Sequence, residues 1–155
     1  IAFVHKTIRF DEREDCRKSV CFLCSWHRRK ALFGLAKELN CNKLALGHHL
    51  DDITETLLLN LVYQGAFATM PPKLKMDKFD LTIIRPLCLI SENEMKEVER
   101  IGNFKKQIKN CPYEKDSSRK DAKNLISELE KWNPDVRQSL WTAMQNIKLD
   151  YLPKK

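Results

Sequence analysis

No apolar run in the sequence approaches the roughly 18–20 residues a helix needs to cross a bilayer, so a membrane-spanning helix is not expected. The amino terminus, Ile1-Ala2-Phe3-Val4-His5-Lys6, lacks the basic, apolar and cleavage regions of a secretory signal. It also lacks an initiator Met, which creates the expectation of a longer parent chain. There is no internal repeat, no low-complexity tract and no linker that would split the chain. No second Cys-x-x-Cys accompanies Cys21-Phe22-Leu23-Cys24, which argues against a four-cysteine zinc ribbon.

What is present has an ordinary globular balance. The 155 residues leave room for one domain with a real core. Hydrophobic residues make up 43% and charged residues 32%, which excludes global disorder. The net charge is +7 and the isoelectric point about 9.1, a balance suited to a polyanion such as RNA. An excess of surface lysine explains the same number without a partner. Six cysteines, one Cys-x-x-Cys pair and no secretion signal favour a reducing compartment, so a cytoplasmic location is expected. There such a pair serves a metal or redox site more often than a disulfide.

The order of elements points to an α/β fold. Residues 2–10 are rich in β-branched and aromatic types and predict a strand; 11–20 predict a loop. Ala31, Leu32, Leu35, Ala36 and Leu39 recur at helical spacing in a helix over 23–39, ended by Asn40-Cys41-Asn42. Lys43-Leu44-Ala45-Leu46-Gly47 predicts a short buried parallel strand. A helix over 51–64 follows, with Ile53, Leu57, Leu58 and Leu61 as its apolar stripe and Gly65 as its end. Met70-Pro71-Pro72-Lys73 predicts a rigid extended loop, since Pro cannot continue a helix. Leu81-Thr82-Ile83-Ile84 predicts a strand stopped by Arg85-Pro86-Leu87. Ser91 with Glu94 forms a capping box for a helix over 92–101, and helices over 117–131 and 134–147 follow. Leu140, Trp141, Met144 and Ile147 read as core packing on the last of them. Such alternation implies a parallel sheet with helices on its faces, sheet-containing to about residue 90 and mainly helical over 91–155.

Ligands of such sheets sit at the carboxyl ends of strands, and Gly47-His48-His49-Leu50-Asp51-Asp52 lies at one of them. Gly47 permits close approach to the backbone. The helix that follows offers N–H groups to an anion. Asp51 and Asp52 suit Mg2+ or the orientation of a nucleotide; helix capping is the alternative use of the same residues. Cys21 and Cys24 can grip one metal from a single turn, with cations close by in Arg28 and Arg29; a buried inert pair is the alternative. Lys105, Lys106, Lys109, Lys115, Arg119, Lys120 and Lys123 form a basic stretch, interrupted by Glu114, Asp116 and Asp121, that suits either phosphate contact or a solvated face. Cys41 and Cys88, next to strand ends, read as core.

Together these segments resemble the PP-loop ATPases that form 2-thiocytidine in tRNA. Cys21-Phe22-Leu23-Cys24-Ser25 followed by Arg28-Arg29 is similar to that family's Cys-x-x-Cys-x3-Arg-Arg signature. Leu46 to Thr56 resembles its second PP-loop segment, and Met70-Pro71-Pro72-Lys73-Leu74, Arg85-Pro86-Leu87 and Ala143-Met144-Gln145-Asn146 match its pattern in the same order. The likeness spans residues 16–150. The lysidine synthetases share a similar Asp-Asp segment but not the cysteine pair.

The resemblance implies a Rossmann-like parallel sheet of the adenine nucleotide alpha hydrolase type, with helices on both faces and a C-terminal helical extension. It implies ATP, Mg2+, adenylation of the C2 oxygen of an anticodon-loop cytidine, and replacement of that oxygen by sulfur from a cysteine desulfurase or sulfide. It further implies a [4Fe-4S] cluster held by Cys21, Cys24 and Cys111, with one iron open to carry sulfur. By the same carry-over Gly47, His48, Asp52 and Arg28 serve the nucleotide, and Asp52 and the three cysteines serve catalysis. A homodimer is left open. Two departures stand out. The Ser-Gly-Gly-x-Asp-Ser phosphate loop is absent, so this chain is expected to be a fragment, inactive alone. Where many relatives carry a second Cys-x-x-Cys, this chain has Cys111-Pro112-Tyr113-Glu114, leaving open whether Glu114 or an outside sulfur completes the iron shell; Cys16 is the next candidate for the third ligand should it not be Cys111. A non-catalytic, metal-stabilised tRNA-binding module and an amide-forming enzyme of the lysidine synthetase type are the alternatives.

Overall fold

The computed structural model describes residues 4, 7, 19–104 and 118–153. The expected strand over 2–10 therefore falls outside the described residues, except for Val4 and Thr7, which are not in a strand. Cys16, Cys111, Glu114 and the lysines at 105, 106, 109 and 115 also lie outside them.

The elements in order are α1 (Val20–Glu38), β1 (Lys43–Ala45), α2 (Leu50–Gln64), β2 (Lys73–Lys75), β3 (Thr82–Ile84), α3 (Glu92–Gly102), α4 (Ser118–Glu130), α5 (Val136–Gln145) and a 3-10 turn at Leu149–Tyr151. They fall into two compact units, one of Ile1–Leu46 with Lys73–Ile84, the other of Gly47–Pro72 with Arg85–Lys155. The units do not follow chain order.

The first unit holds α1 and the sheet, in the order β1-β3-β2. Its centre is β3, whose Thr-Ile-Ile sequence is β-branched throughout and suits a pleated surface. Parallel pairing with β1 sets Leu44 opposite Ile83, as the strand–helix–strand order requires. β2 pairs antiparallel with β3, with Leu74 opposite Ile83. The parallel sheet expected from the sequence thus also carries an antiparallel strand, and Lys73, expected to close an extended loop, opens it. α1 starts at Ser19, whose hydroxyl accepts from the Phe22 N–H at 3.3 Å. It buries Leu23 and Ala36, and Phe33 meets Phe79 with ring centroids 5.3 Å apart.

The second unit is helical. α2 packs against α4 and α5. Ile53, Thr54, Leu57 and Ile126 are fully buried, and Leu50, Ile53, Cys88 and Trp141 form a core flanked by Met70 and Met144. Burial of each large aliphatic is worth about 1.5–3 kcal/mol. The expected stripe on the last helix is confirmed at Trp141 and Met144; Ile147, beyond the end of α5, is exposed. Gly65 ends α2 at a φ of 60°, where a side chain would be strained. The capping box of α3 is formed as its sequence predicts: Ser91 Oγ accepts from the Glu94 N–H, and Glu94 Oε2 from the Ser91 N–H at 2.8 Å.

Candidate functional site: the turn before α2 and the start of α1

The turn before α2 gathers charge because α2, α3, α4 and α5 converge on it. Asp51, Asp52 and Glu55 fall on the first turns of α2, and Glu55, four residues after Asp51 and three after Asp52, lies beside each of them. Their partners come from distant sequence. Asp51 is 3% exposed; its Oδ2 accepts from the Glu92 N–H at 2.6 Å and its Oδ1 from Arg137 Nε at 2.7 Å. Arg137 also pairs with Glu130. Both oxygens of Asp51 thus hold the starts of α3 and α5, and this carboxylate is a structural group.

Asp52 is the more open of the two. Its Oδ2 accepts from the His49 N–H at 3.0 Å, which caps α2, and its Oδ1 from Arg119 Nη1 at 3.0 Å. His49 lies between both carboxylates, Nδ1 3.6 Å from Asp51 and Nε2 3.5 Å from Asp52. Leu50 spends its N–H on the Ile90 carbonyl at 2.9 Å, so the start of α2 is partly satisfied from within.

His48 faces another way. Its Nδ1 accepts from Arg85 Nε at 3.3 Å, while Arg85 Nη1 donates to the Pro71 carbonyl at 2.5 Å and the Arg85 N–H to the Pro72 carbonyl at 2.8 Å. Burial lowers the pKa of His48, with Arg85, Arg119 and His49 acting the same way against the pull of Asp52. Glu55 is 8% exposed and its side chain has no hydrogen bond among the described residues; burial raises its pKa. Glu92 is held at about 2 by hydrogen bonds from Lys123 and Lys96.

Gly47 is exposed, its φ is not in the left-handed region, and a Cβ added there would meet nothing within 4 Å among the described residues. Neither backbone conformation nor internal packing requires a glycine at 47.

The cysteine pair opens α1 in the other unit. Cys21 is exposed and Cys24 half-buried, both as free thiols on one helical turn, so the pair is not the inert buried one. Arg28 is exposed one turn further on, and Lys30 lies 5.2 Å over the Trp26 ring. The donor set is the right chemistry for a soft metal or an iron–sulfur centre. Its third expected member, Cys111, is outside the described residues, and among the described residues no group of three ligating side chains forms. Cys88 is buried, as expected, but Cys41, in the turn between α1 and β1, is exposed.

The sequence placed Gly47, His48 and Asp52 on one turn, and the structure does the same. It did not single out Arg85, Arg119, Arg137, Glu55 or Glu92. Arg85 and Arg119 were visible only within Arg85-Pro86-Leu87 and the basic stretch; Arg137 carried no signal.

The PP-loop domain model matches residues 2–127 of the chain. The tRNA-cytidine(32) 2-sulfurtransferase of Geobacter sulfurreducens is 43% identical over 136 residues, 86% of this chain and 53% of that protein. The enzyme of the same name from Geotalea uraniireducens is 39% identical over 157 aligned positions, 98% of this chain and 62% of that protein. The chain thus spans roughly half to three-fifths of the curated relatives it matches. Among solved structures, the U34-tRNA thiolase NcsA from Methanococcus maripaludis, with its [4Fe-4S] cluster, aligns with a TM-score of 0.70 at 28% identity, covering 93% of this chain and 48% of that one.

Proposed function

The chain belongs to the PP-loop domain family, and from that premise we propose that it is the part of a tRNA 2-thiocytidine-forming enzyme that carries the cysteine pair and the second nucleotide segment. The whole enzyme adenylates the C2 oxygen of a tRNA cytidine with ATP and Mg2+ and replaces it with sulfur from a desulfurase or sulfide. The residues 1–155 form one partial PP-loop domain, with a mainly helical extension after about residue 90, and need an Ser-Gly-Gly-x-Asp-Ser loop to complete the phosphate site.

The observation that carries this reading is the coexistence in one PP-loop chain of two free thiols at the start of α1 and the Gly47–Asp52 turn. Cys21 and Cys24, with Cys111, are the ligands for a [4Fe-4S] cluster, which when bound supplies a site for sulfur. Gly47 admits a nucleotide because nothing among the described residues fills the space its Cβ would take. Asp52, the carboxylate left partly open, orients the nucleotide or its metal, and His48 and Arg28 add a polar and a cationic contact. An adenylated oxygen is a good leaving group, so the work of these residues is to hold phosphates and bring the base into line.

Iron, zinc and acid-labile sulfide after strictly anaerobic purification and reconstitution test the cluster, on the wild type and Cys21→Ser. About four irons and four sulfides per chain, lost in Cys21→Ser, are expected. Stoichiometric zinc without sulfide would favour a metal-stabilised RNA-binding module instead.

A further inference from the structure

Arg85 is 7% exposed, yet among the described residues no carboxylate pairs with it. A buried guanidinium ordinarily needs an anionic partner. Here its contacts are neutral: the Pro71 carbonyl and His48 Nδ1. Its backbone N–H takes the next carbonyl, that of Pro72. One residue therefore ties the Pro71-Pro72 turn to the histidine of the Gly47–Asp52 turn.

The chemistry of that tie fixes a proton. Arginine has five N–H donors and no acceptor, and it stays protonated. Its Nε–H can bond His48 Nδ1 only if Nδ1 carries a lone pair. The proton of a neutral His48 must then sit on Nε2. His48 Nε2 has no hydrogen-bond partner among the described residues. We propose that Arg85 is a positioning residue that locks His48 in its Nε2–H tautomer, so that the turn before α2 meets its ligand with a fixed N–H donor rather than a base. The ligand class is an anionic oxygen, such as a phosphoryl oxygen. Its charge would answer the unpaired guanidinium, and the N–H would point at it ready-made. The choice of ligand rests on the nucleotide reading above; the tautomer does not.

The surroundings work in the same direction. Burial and the cations Arg85 and Arg119 disfavour the imidazolium, His49 adds to them, and Asp52 opposes them.

Long-range proton–nitrogen NMR correlation on the 15N-histidine-labelled chain, from about pH 5 to 8, reads both properties of His48. The expected wild-type result is a single Nε2–H pattern and a titration midpoint below the ordinary value of about 6.5. In Arg85→Gln a mixture of tautomers and a midpoint moved up toward that value are expected. A protonated Nδ1 or an ordinary titration in the wild type would overturn the proposal. So would an Arg85→Gln protein that folds with His48 unchanged, since a purely structural Arg85 would cost stability and leave the imidazole alone. If Arg85→Gln does not fold, Arg85→Lys, which keeps the charge but lacks the Nε–H, is read the same way. Adding ATP to the whole enzyme of the proposed function, phosphate loop included, separates the two readings. Movement of the His48 Nε2–H signal supports the nucleotide as ligand; a silent signal with the tautomer intact overturns that ligand and leaves the lock standing.

Discussion

Arg137 reaches Asp51 from 86 residues along the chain, and together with the Glu92 N–H it satisfies a carboxylate that water hardly touches. Removing one partner of a buried pair leaves the other charged and unmatched, which costs about 3–5 kcal/mol. Arg137→Ala is expected to lose that much in urea unfolding, and Asp51→Asn in the Arg137→Ala background to recover part of it. Glu55 predicts the opposite sign. Its folded pKa lies above the ordinary carboxylate value of 4.5, so its contribution to stability falls as pH rises through that value and on through the folded one. More of the penalty is therefore present at neutral pH than in acid. Glu55→Gln should therefore melt higher than the wild type at about pH 7 and gain less at about pH 4; an equal gain at both would remove the buried charge as the cause. At this scale the sequence was half legible. Asp51 and Asp52 are the same residue in the same motif, and what separates them is Arg137 and Glu92 against Arg119, partners 86, 41 and 67 positions away. Periodicity and local spacing carry no information at those separations.

The start of α3 shows how an element is anchored twice. Ser91 and Glu94 cap it locally, and Glu92, in its first turn, takes Lys123 of α4 at 2.5 Å and Lys96 of its own second turn at 3.0 Å. Glu92 titrates at about 2 instead of 4.5. For a depressed carboxylate the stabilisation is present above the unfolded value and disappears as pH falls through the folded one. Acid unfolding should thus steepen between about 4.5 and about 2, and Glu92→Gln should flatten that limb. An unchanged acid limb would show that solvent screens the pair completely. Helices were the readable elements: α2 was expected over 51–64 and runs Leu50–Gln64, because its apolar stripe and Gly65 are both local signals. β2 was missed. Lys73-Leu74-Lys75 is too short for alternation to register, and two prolines before it pointed to a loop.

Across the whole chain the charge is +7, while the cations at the turn before α2 are largely committed: Arg119 to Asp52, Lys123 to Glu92, Arg137 to Asp51 and Glu130. Contacts to RNA phosphates would then fall mainly to exposed cations such as Arg29 and Lys120. Binding to single-stranded RNA should weaken with salt by a logarithmic slope of about 0.7 per phosphate engaged, and Arg29→Ala/Lys120→Ala should lower that slope; salt-independent binding would contradict this use of the surface. Fold class was legible at this scale through the alternation of elements. The two-unit division was not, because it depends on which distant segments pack together. The core of the helical unit also contains its own clock. Cys88 is 9% exposed beside Leu50, Ile53 and Trp141, whereas Cys21 and Cys41 lie open to solvent. A thiol-selective dye would mark the open cysteines at once. It would reach Cys88 only when the helices part, so the slow phase of labelling counts those openings in real time.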